Sequence, residues 1–369
     1  MVGSNDVEFT GTTTADSVDA SALTGDLTLT LAAAAITVTS GTGDDSVTTG
    51  AGGVVVVDMG AGADTLVINA VAAGSVFTTG AGVDTVTING TNLMTLSTEG
   101  GNDAITLTDA SDISIDGGDG TDTVTVNGAG DLDVTVNTNF AMTNVEKVTL
   151  ADGLAVNNTQ FLTFATAELA GTAAKVLTIT ETGAAAAKTI DASGLTIRVG
   201  TTSTVSIVGG TKADTITGTD GADAINGGAG ADVIVGGLGD DTITVDGAGT
   251  GIATAGALST TAATMDKYYV EAGDLIDITG IVATQANYDA LQTIQTSGSI
   301  DLTITAGTVE QIKGIYDADA DTFTVSNAAS ANAVMVIAAA TDAGTTATDG
   351  IILVGVTSLA DLENGVITV

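Results

Sequence analysis

Residues Gly209 to Thr244 read GGTKADTIT, GTDGADAIN, GGAGADVIV, GGLGDDTIT, four nine-residue units head to tail. Each unit has Asp at its sixth position (Asp214, Asp223, Asp232, Asp241) and Ile at its eighth. Glycines permit a tight turn, and the Ile two residues after the Asp sets a short strand with one face inward. A turn plus a short strand cannot bury its apolar residue alone, so the units must stack. Two units make one coil of a parallel β-helix, which places Asp214 over Asp232 and Asp223 over Asp241. Two carboxylates with turn carbonyls between stacked turns form a hard oxygen site of the kind that suits Ca²⁺.

A second ladder runs through the first third of the chain: SGTGDDSVT around Asp45, MGAGADTLV around Asp64, TGAGVDTVT around Asp84, TEGGNDAIT around Asp103 and GGDGTDTVT around Asp122. Successive aspartates are 19, 20, 19 and 19 residues apart. That period is one whole coil with a single acidic turn. It predicts five aspartates stacked along one edge, with Ca²⁺ in the gaps, and a metal-poor edge opposite. Short β-branched runs such as TLVIN, TVTING, AITLT and TVTVNG separate the turns, with Val, Ile and Leu predicted inward and Thr outward. A β-sandwich with Gly-Asp turns is the alternative, but it does not require so constant a spacing.

The nonapeptides closely resemble the RTX calcium-binding repeats of bacterial proteins exported by type I secretion. The fold expected is therefore all-β: a parallel β-helix, or β-solenoid, with RTX turns and a mixed β-rich C-terminal cap. Four segments follow: residues 1–150 with coils of about 19 residues, 151–208 as a connecting β-rich stretch, 209–246 as the nonapeptide β-roll, and 247–369 as cap and secretion region. VDASAL (18–23) recurs as IDASGL (190–195), which suggests two related halves. QFLTFATAELAG (160–171) and GAAAAKT (183–189) are read as a short helix and as a turn or helix.

Composition narrows the function. The 369 residues carry 45 acidic and 7 basic side chains, a formal charge of −38. A phosphate backbone needs a basic partner, so nucleic acid is excluded. If about six gaps each held one divalent ion, roughly 12 negative charges would be neutralised, making calcium the expected folding switch. The chain has no Cys, His, Trp or Pro. Disulfides, thiolate zinc sites and histidine-based acid–base chemistry are therefore absent, and no catalytic or organic-cofactor residue is assigned. No apolar run reaches a membrane-spanning length. The N-terminus MVGSNDVEFTG has neither a basic nor an apolar leader region, so a Sec signal is not read there.

After Asp246 a small-residue stretch leads into mixed elements: a helix expected at ATQANYDALQTIQTSG (283–298), a β-hairpin around DADAD (317–321) and a terminal apolar strand ending at Val369. DADAD lacks the glycine and the distant Glu of an EF-hand loop, so it reads as an acidic hairpin tip. NVEKVTL, DASGL, the nonapeptides and the tail together resemble RTX-type surface-layer proteins of Gram-negative bacteria. That resemblance implies a secreted structural protein, not an enzyme, that self-assembles on the cell surface, held to lipopolysaccharide by an unidentified anchoring part, with a type I exporter reading its C-terminus. A calcium-stabilised adhesin, or the secretion module of a larger protein, is the alternative.

Overall fold

The computed structural model describes residues 2–13, 16–32, 34–90, 92–109, 112–128, 130–164, 167–171, 175–181, 187–197, 204–245, 259–261, 266–272, 274–277, 290–291, 308–320, 322–326, 328–338, 349–356, 359, 361–363 and 366–369. Two compact units emerge, Met1–Thr178 with Leu195–Ser203, and Ile179–Gly194 with Thr204–Val369. The protein is an all-β solenoid of parallel stacked coils. No helix among the described residues is long and apolar enough to cross a membrane.

In the first unit most coils give one strand to each of two long parallel sheets, while Leu132–Asp133 and Leu154–Asn157 pair in another. One sheet runs in the order Ala141–Thr143, Ile113–Asp116, Met94–Ser97, Ser75–Thr78, Val55–Asp58, Ile36–Thr39, Ser17–Asp19. The other runs from Val7–Thr13 through Leu27–Leu31, Ser46–Thr48, Thr65–Ile68, Thr85–Ile88, Ala104–Leu107, Thr123–Val126, Lys147–Leu150 and Glu168–Gly171 to Thr196–Ile197. Because the side-chain period of a strand is two, an unbroken register stacks like on like. Leu29, Val47, Leu66, Val86, Ile105, Val124, Val148 and Leu169 form one buried column. Val38, Val57, Phe77, Leu96, Ile115 and Met142 face it from the other sheet. Each such side chain contributes about 1.5–3 kcal/mol by burial, and that sum holds the coils together.

Polar residues also enter the core columns, Thr49 and Ser75 among them. Ser75, 1 % exposed, lies between Val55 and Met94; its Oγ accepts the Val55 N–H (3.0 Å) and donates to the Ala72 carbonyl (2.8 Å). The edge opposite the aspartates carries a neutral ladder instead. The Asn69 N–H donates to Thr49 Oγ1 (2.9 Å), Asn89 Nδ2 donates to Asn69 Oδ1 (3.4 Å), and Thr108 Oγ1 donates to Asn89 Oδ1 (2.7 Å).

The stretch 160–171, expected as helix, is helical only over Asn158–Phe161, closed by a capping box between Asn157 and Gln160. The Gln160 amide donates to the Val134 and Asn137 carbonyls (2.6 Å each), tying this turn to the coil beneath. Glu168–Gly171 then pairs with Lys147–Leu150 as a strand. Strand pairing has overridden helix propensity there. Residues 182–186 of the alanine run lie outside the described residues.

The second unit stacks shorter coils. Ile190, Ile216, Ile234, Tyr268 and Leu353 are in register along one sheet, and Ile207, Ile225, Ile243, Ile276 and Ile367 along the other. Parallel stacking stops where Asp349–Val354 turns antiparallel to Ala333–Ala338, followed by Thr308–Asp317 and Thr322–Val325. Ile312, Tyr316, Phe323, Met335 and Ile352 form the core under this cap. On the other sheet Val366–Thr368 covers Leu275–Asp277. Closing both edges with antiparallel strands consumes the main-chain groups that an open solenoid end would present. The expected hairpin is present, with Asp317 opposite Thr322, and Asp317 Oδ1 accepts the N–H groups of Asp319 and Ala320 as a turn cap. Of the helix expected at 283–298, only Ala290–Leu291 lies among the described residues, and it is a strand parallel to Thr308–Val309.

Candidate metal centre

Each ladder aspartate stands at the point where a turn becomes a strand, and the strand register carries it over its counterpart. In the first unit the Asp45 N–H donates to Asp64 Oδ1 (2.7 Å), Asp64 to Asp84, Asp84 to Asp103 and Asp103 to Asp122 (2.8 Å each). In the second, Asp214 donates to Asp232 (2.8 Å) and Asp223 to Asp241 (2.9 Å). The nine sequence-assigned aspartates thus form three columns, all buried. Apart from Asp223, whose Oδ1 accepts the Thr219 hydroxyl (3.0 Å), each commits Oδ1 to a main-chain N–H of a neighbouring coil.

The fate of the other oxygen divides the turns into two kinds. Asp45, Asp214 and Asp223 each accept with Oδ2 an N–H from the residue four before, Gly41 (3.3 Å), Gly210 (2.8 Å) and Thr219 (2.5 Å). Oδ2 of Asp64, Asp84, Asp103, Asp122 and Asp241 is buried with no hydrogen-bond partner. Backbone geometry explains the difference. In those five turns the residue four before the acid is left-handed: Gly60 (φ +87°), Gly80 (+92°), Glu99 (+59°), Gly118 (+84°) and Gly237 (+112°). The residue two before is also at positive φ: Gly62, Gly82, Gly101, Gly120 and Gly239. Asp232 follows the same pair, Gly228 and Gly230. The three turns whose own N–H reaches the carboxylate lack it. Left-handed residues rotate the amide away and leave the oxygen facing the turn interior.

A buried carboxylate oxygen without a partner is costly, and ionisation is where the cost falls. Burial pushes Asp64 and Asp241 up to about 7 and Asp223 to about 6, and raises Asp45, Asp84 and Asp122. The stacked neighbours add repulsion: Asp45 and Asp84 act on Asp64, and Asp223 and Asp274 on Asp241.

Glycine at the start of each nonapeptide keeps the space beside the carboxylate open. A Cβ on Gly218 would come within 2.5 Å of Asp223 Oδ2, and one on Gly227 or Gly236 would collide with Oδ2 of Asp232 or Asp241. A Cβ on Gly209 or Gly218 would also run into the carbonyl of Gly227 or Gly236 in the next coil. Carboxylate and carbonyl oxygens therefore face a common space that only hydrogen leaves empty. No three acidic side chains among the described residues converge on one point. The donor set is accordingly carboxylate plus main-chain carbonyl, all hard oxygen, which fits Ca²⁺.

The ladders extend beyond the assigned aspartates. The N–H groups of Asp122, Asp232 and Asp241 donate to Glu146 Oε2 (2.8 Å), Asp266 Oδ1 (2.8 Å) and Asp274 Oδ1 (3.1 Å), which lie 24, 34 and 33 residues on. At these three no glycine stands four or two residues before the acid and the period is broken, so they fall outside the repeats. The surviving signal is an acid two residues before a core side chain: Glu146 before Val148, Asp266 before Tyr268, Asp274 before Ile276. Asp266 Oδ2 accepts the Tyr268 hydroxyl (3.0 Å) and Asp274 Oδ2 the Glu271 N–H (2.8 Å), so both second-unit ladders end on satisfied acids.

Residues 208–243 match the RTX calcium-binding nonapeptide repeat family, in four copies. That stretch is thus a set of calcium-binding repeats, carried on the solenoid that such repeats build. Among curated proteins none matches the chain.

Proposed function

We propose that this is an extracellular structural protein that folds around calcium and assembles with copies of itself into a bacterial surface layer. Asp45, Asp64, Asp84, Asp103, Asp122, Asp214, Asp223, Asp232 and Asp241 would hold the ions, several per chain, together with turn carbonyls. The observation that carries the calcium reading is the set of buried, unpartnered aspartate oxygens above left-handed turns. Bound Ca²⁺ supplies charge neutralisation there; the residues orient it, exclude bulk water and remain ionised.

Secretion is supported by the nonapeptides, because proteins with RTX repeats are typically extracellular. A type I exporter would read the C-terminal region, and an anchoring part not identified in the sequence would hold the layer to lipopolysaccharide. Self-association is supported by the outward face of the first unit, where Val54, Val56, Val76 and Leu93 are exposed and Val56 pairs with Val76. The adhesin reading is favoured by a different face. There Thr28, Ser46, Thr65 and Thr85 stand in register, beside Thr30, Thr48, Val67 and Thr87, as an outward column of short side chains suited to contact with an extended partner.

Calcium titration of the purified chain against chelator, followed by circular dichroism and light scattering, tests the proposal. The expected outcome is β-structure and large ordered particles appearing together. Folding that stops at a monomer supports the adhesin, and a chain indifferent to calcium overturns the calcium reading.

A further inference from the structure

The first ladder does not end at Asp122. Glu146 takes the next rung although its turn carries no nonapeptide: Asn144 to Glu146 is two residues, where Gly117 to Asp122 is five. A shorter turn leaves the acid's Cα farther back, and the additional methylene of Glu restores the reach, so that Oε2 accepts the Asp122 N–H at 2.8 Å. Asn144 makes the short turn possible. Its backbone is left-handed (φ +51°), and its Nδ2 donates to Asp116 Oδ1 (2.7 Å).

The space between these two rungs differs from those above it. Five residues before the acid, Ser40 and Thr98 fill the equivalent position with hydroxyls, which donate to the carbonyls of Met59 and Gly117 one coil on (2.8 Å each). At Gly117 there is no side chain. A Cβ there would lie 2.8 Å from Asp122 Oδ2 and collide with the Asn144 carbonyl oxygen. Both oxygens therefore pack against the same face of Gly117. Asp122 is fully buried, its Oδ2 has no partner, and the negative charges of Asp103, Glu146 and Asp116 surround it. Asn144 and Glu146 also line a cavity of about 350 Å³, with Thr143, Val145, Thr163 and Phe164. That volume is ample for an ion arriving with water.

We propose that a divalent cation, calcium by the hardness of the donors, is held between Asp122 and Glu146 with the Asn144 carbonyl as a neutral ligand. This site rests on the calcium reading of the ladders, and its Glu146 and Asn144 half lies outside every repeat unit. The cavity gives it exchange with solvent, and two carboxylates with few fixed carbonyls make it weaker than the interior gaps.

Calcium bound per full-length chain at equilibrium dialysis tests the site. Glu146→Gln keeps an acceptor for the Asp122 N–H and removes the charge. It is expected to bind one ion fewer than the parent, with an unchanged circular dichroism spectrum in calcium. A second readout is optical. The chain has no Trp, so Phe164→Trp places the sole indole on the cavity wall, and terbium emission excited through it reports this site. Emission from Phe164→Trp, lost in Phe164→Trp/Glu146→Gln, is the expected result. Unchanged stoichiometry and affinity in Glu146→Gln, or no indole-sensitised emission from Phe164→Trp, overturns the site. A parent chain that binds no calcium removes the ladder reading as a whole, whereas a parent that binds while Glu146→Gln matches it removes this site alone.

Discussion

Gly80 and Gly74 share a left-handed backbone, φ +92° and +88°, yet they do different work. A Cβ on Gly80 would strike the Gly60 carbonyl of the coil before, while one on Gly74 would meet nothing within 4 Å. Gly74→Ala therefore costs only left-handed strain, about 1–2 kcal/mol. Gly80→Ala adds a collision with main chain and is expected to cost clearly more, with both read from denaturant midpoints in calcium. The carboxylates follow a different logic. Asp84 donates to the ladder and accepts from it, but its Oδ2 is buried and unpartnered. Asp84→Asn keeps an oxygen for the Asp64 N–H and removes a charge that burial disfavours. The expected outcome is a higher Tm in chelator and a lower Tm in saturating calcium, because the amide does not repel its neighbours and is a poor calcium ligand. Thermal unfolding of the variant in both media checks it; a fall in both would reduce Asp84 to a hydrogen-bonding residue.

At the scale of the strand, Ser75 shows how a coil tolerates a polar residue inside its core. It sits in an inward position between Val55 and Met94, and its hydroxyl satisfies the Val55 N–H and the Ala72 carbonyl at once. Ser75→Ala strands both groups in the interior and is expected to cost about 1–3 kcal/mol, read as a lowered denaturant midpoint. The same element shows what a sequence discloses. Strict spacing between Asp45 and Asp122, and between Asp214 and Asp241, dictated stacking, register and the inward column, because a slip of one residue would turn every Val and Ile outward. The second-unit ladder was legible as far as the glycines ran. Beyond Asp241 the chain inserts one long segment before Asp266 and Asp274, and only the acid-x-apolar spacing survives to mark them. The helical reading of 160–171 holds at Gln160 and Phe161 and fails at its end for a related reason: local propensity favours helix, but the edge offered by Lys147–Leu150 captured Glu168–Gly171. Nor does composition reveal which turns are left-handed. Gly41 and Gly43 precede Asp45 in the same pattern as Gly60 and Gly62 precede Asp64, yet only the second pair takes positive φ. The difference lies in the stacked neighbour: Gly60 sits over the Gly41 carbonyl, whereas Gly41 meets Leu23 and Ala20 in a coil without a matching glycine turn.

For the whole molecule the buried acids couple folding to both protons and calcium. Asp64 and Asp241 titrate near 7 in the folded chain and Asp223 near 6, against an ordinary value of 3.8. A folded pKa raised above the unfolded one means that the native state binds the proton more tightly. The corresponding stability is fully present below about pH 4 and is lost as pH rises through 6 to 7. Each group that titrates on folding contributes a slope of about 1.4 kcal/mol per pH unit within that window. In chelator the protein is therefore expected to become more stable on acidification from pH 8 to pH 5, with the formal charge of −38 acting in the same direction through self-repulsion. Calcium reverses the sign, because only the ionised carboxylate binds it and protons compete with the metal. In saturating calcium, stability should rise from pH 5 to pH 8, so the two curves of Tm against pH cross. Raised salt separates the causes: it screens exposed charges but barely touches buried ones, so the crossing should persist at high ionic strength if the ladders produce it. Parallel curves, or a crossing abolished by salt, would transfer the effect from the buried columns to the acidic surface.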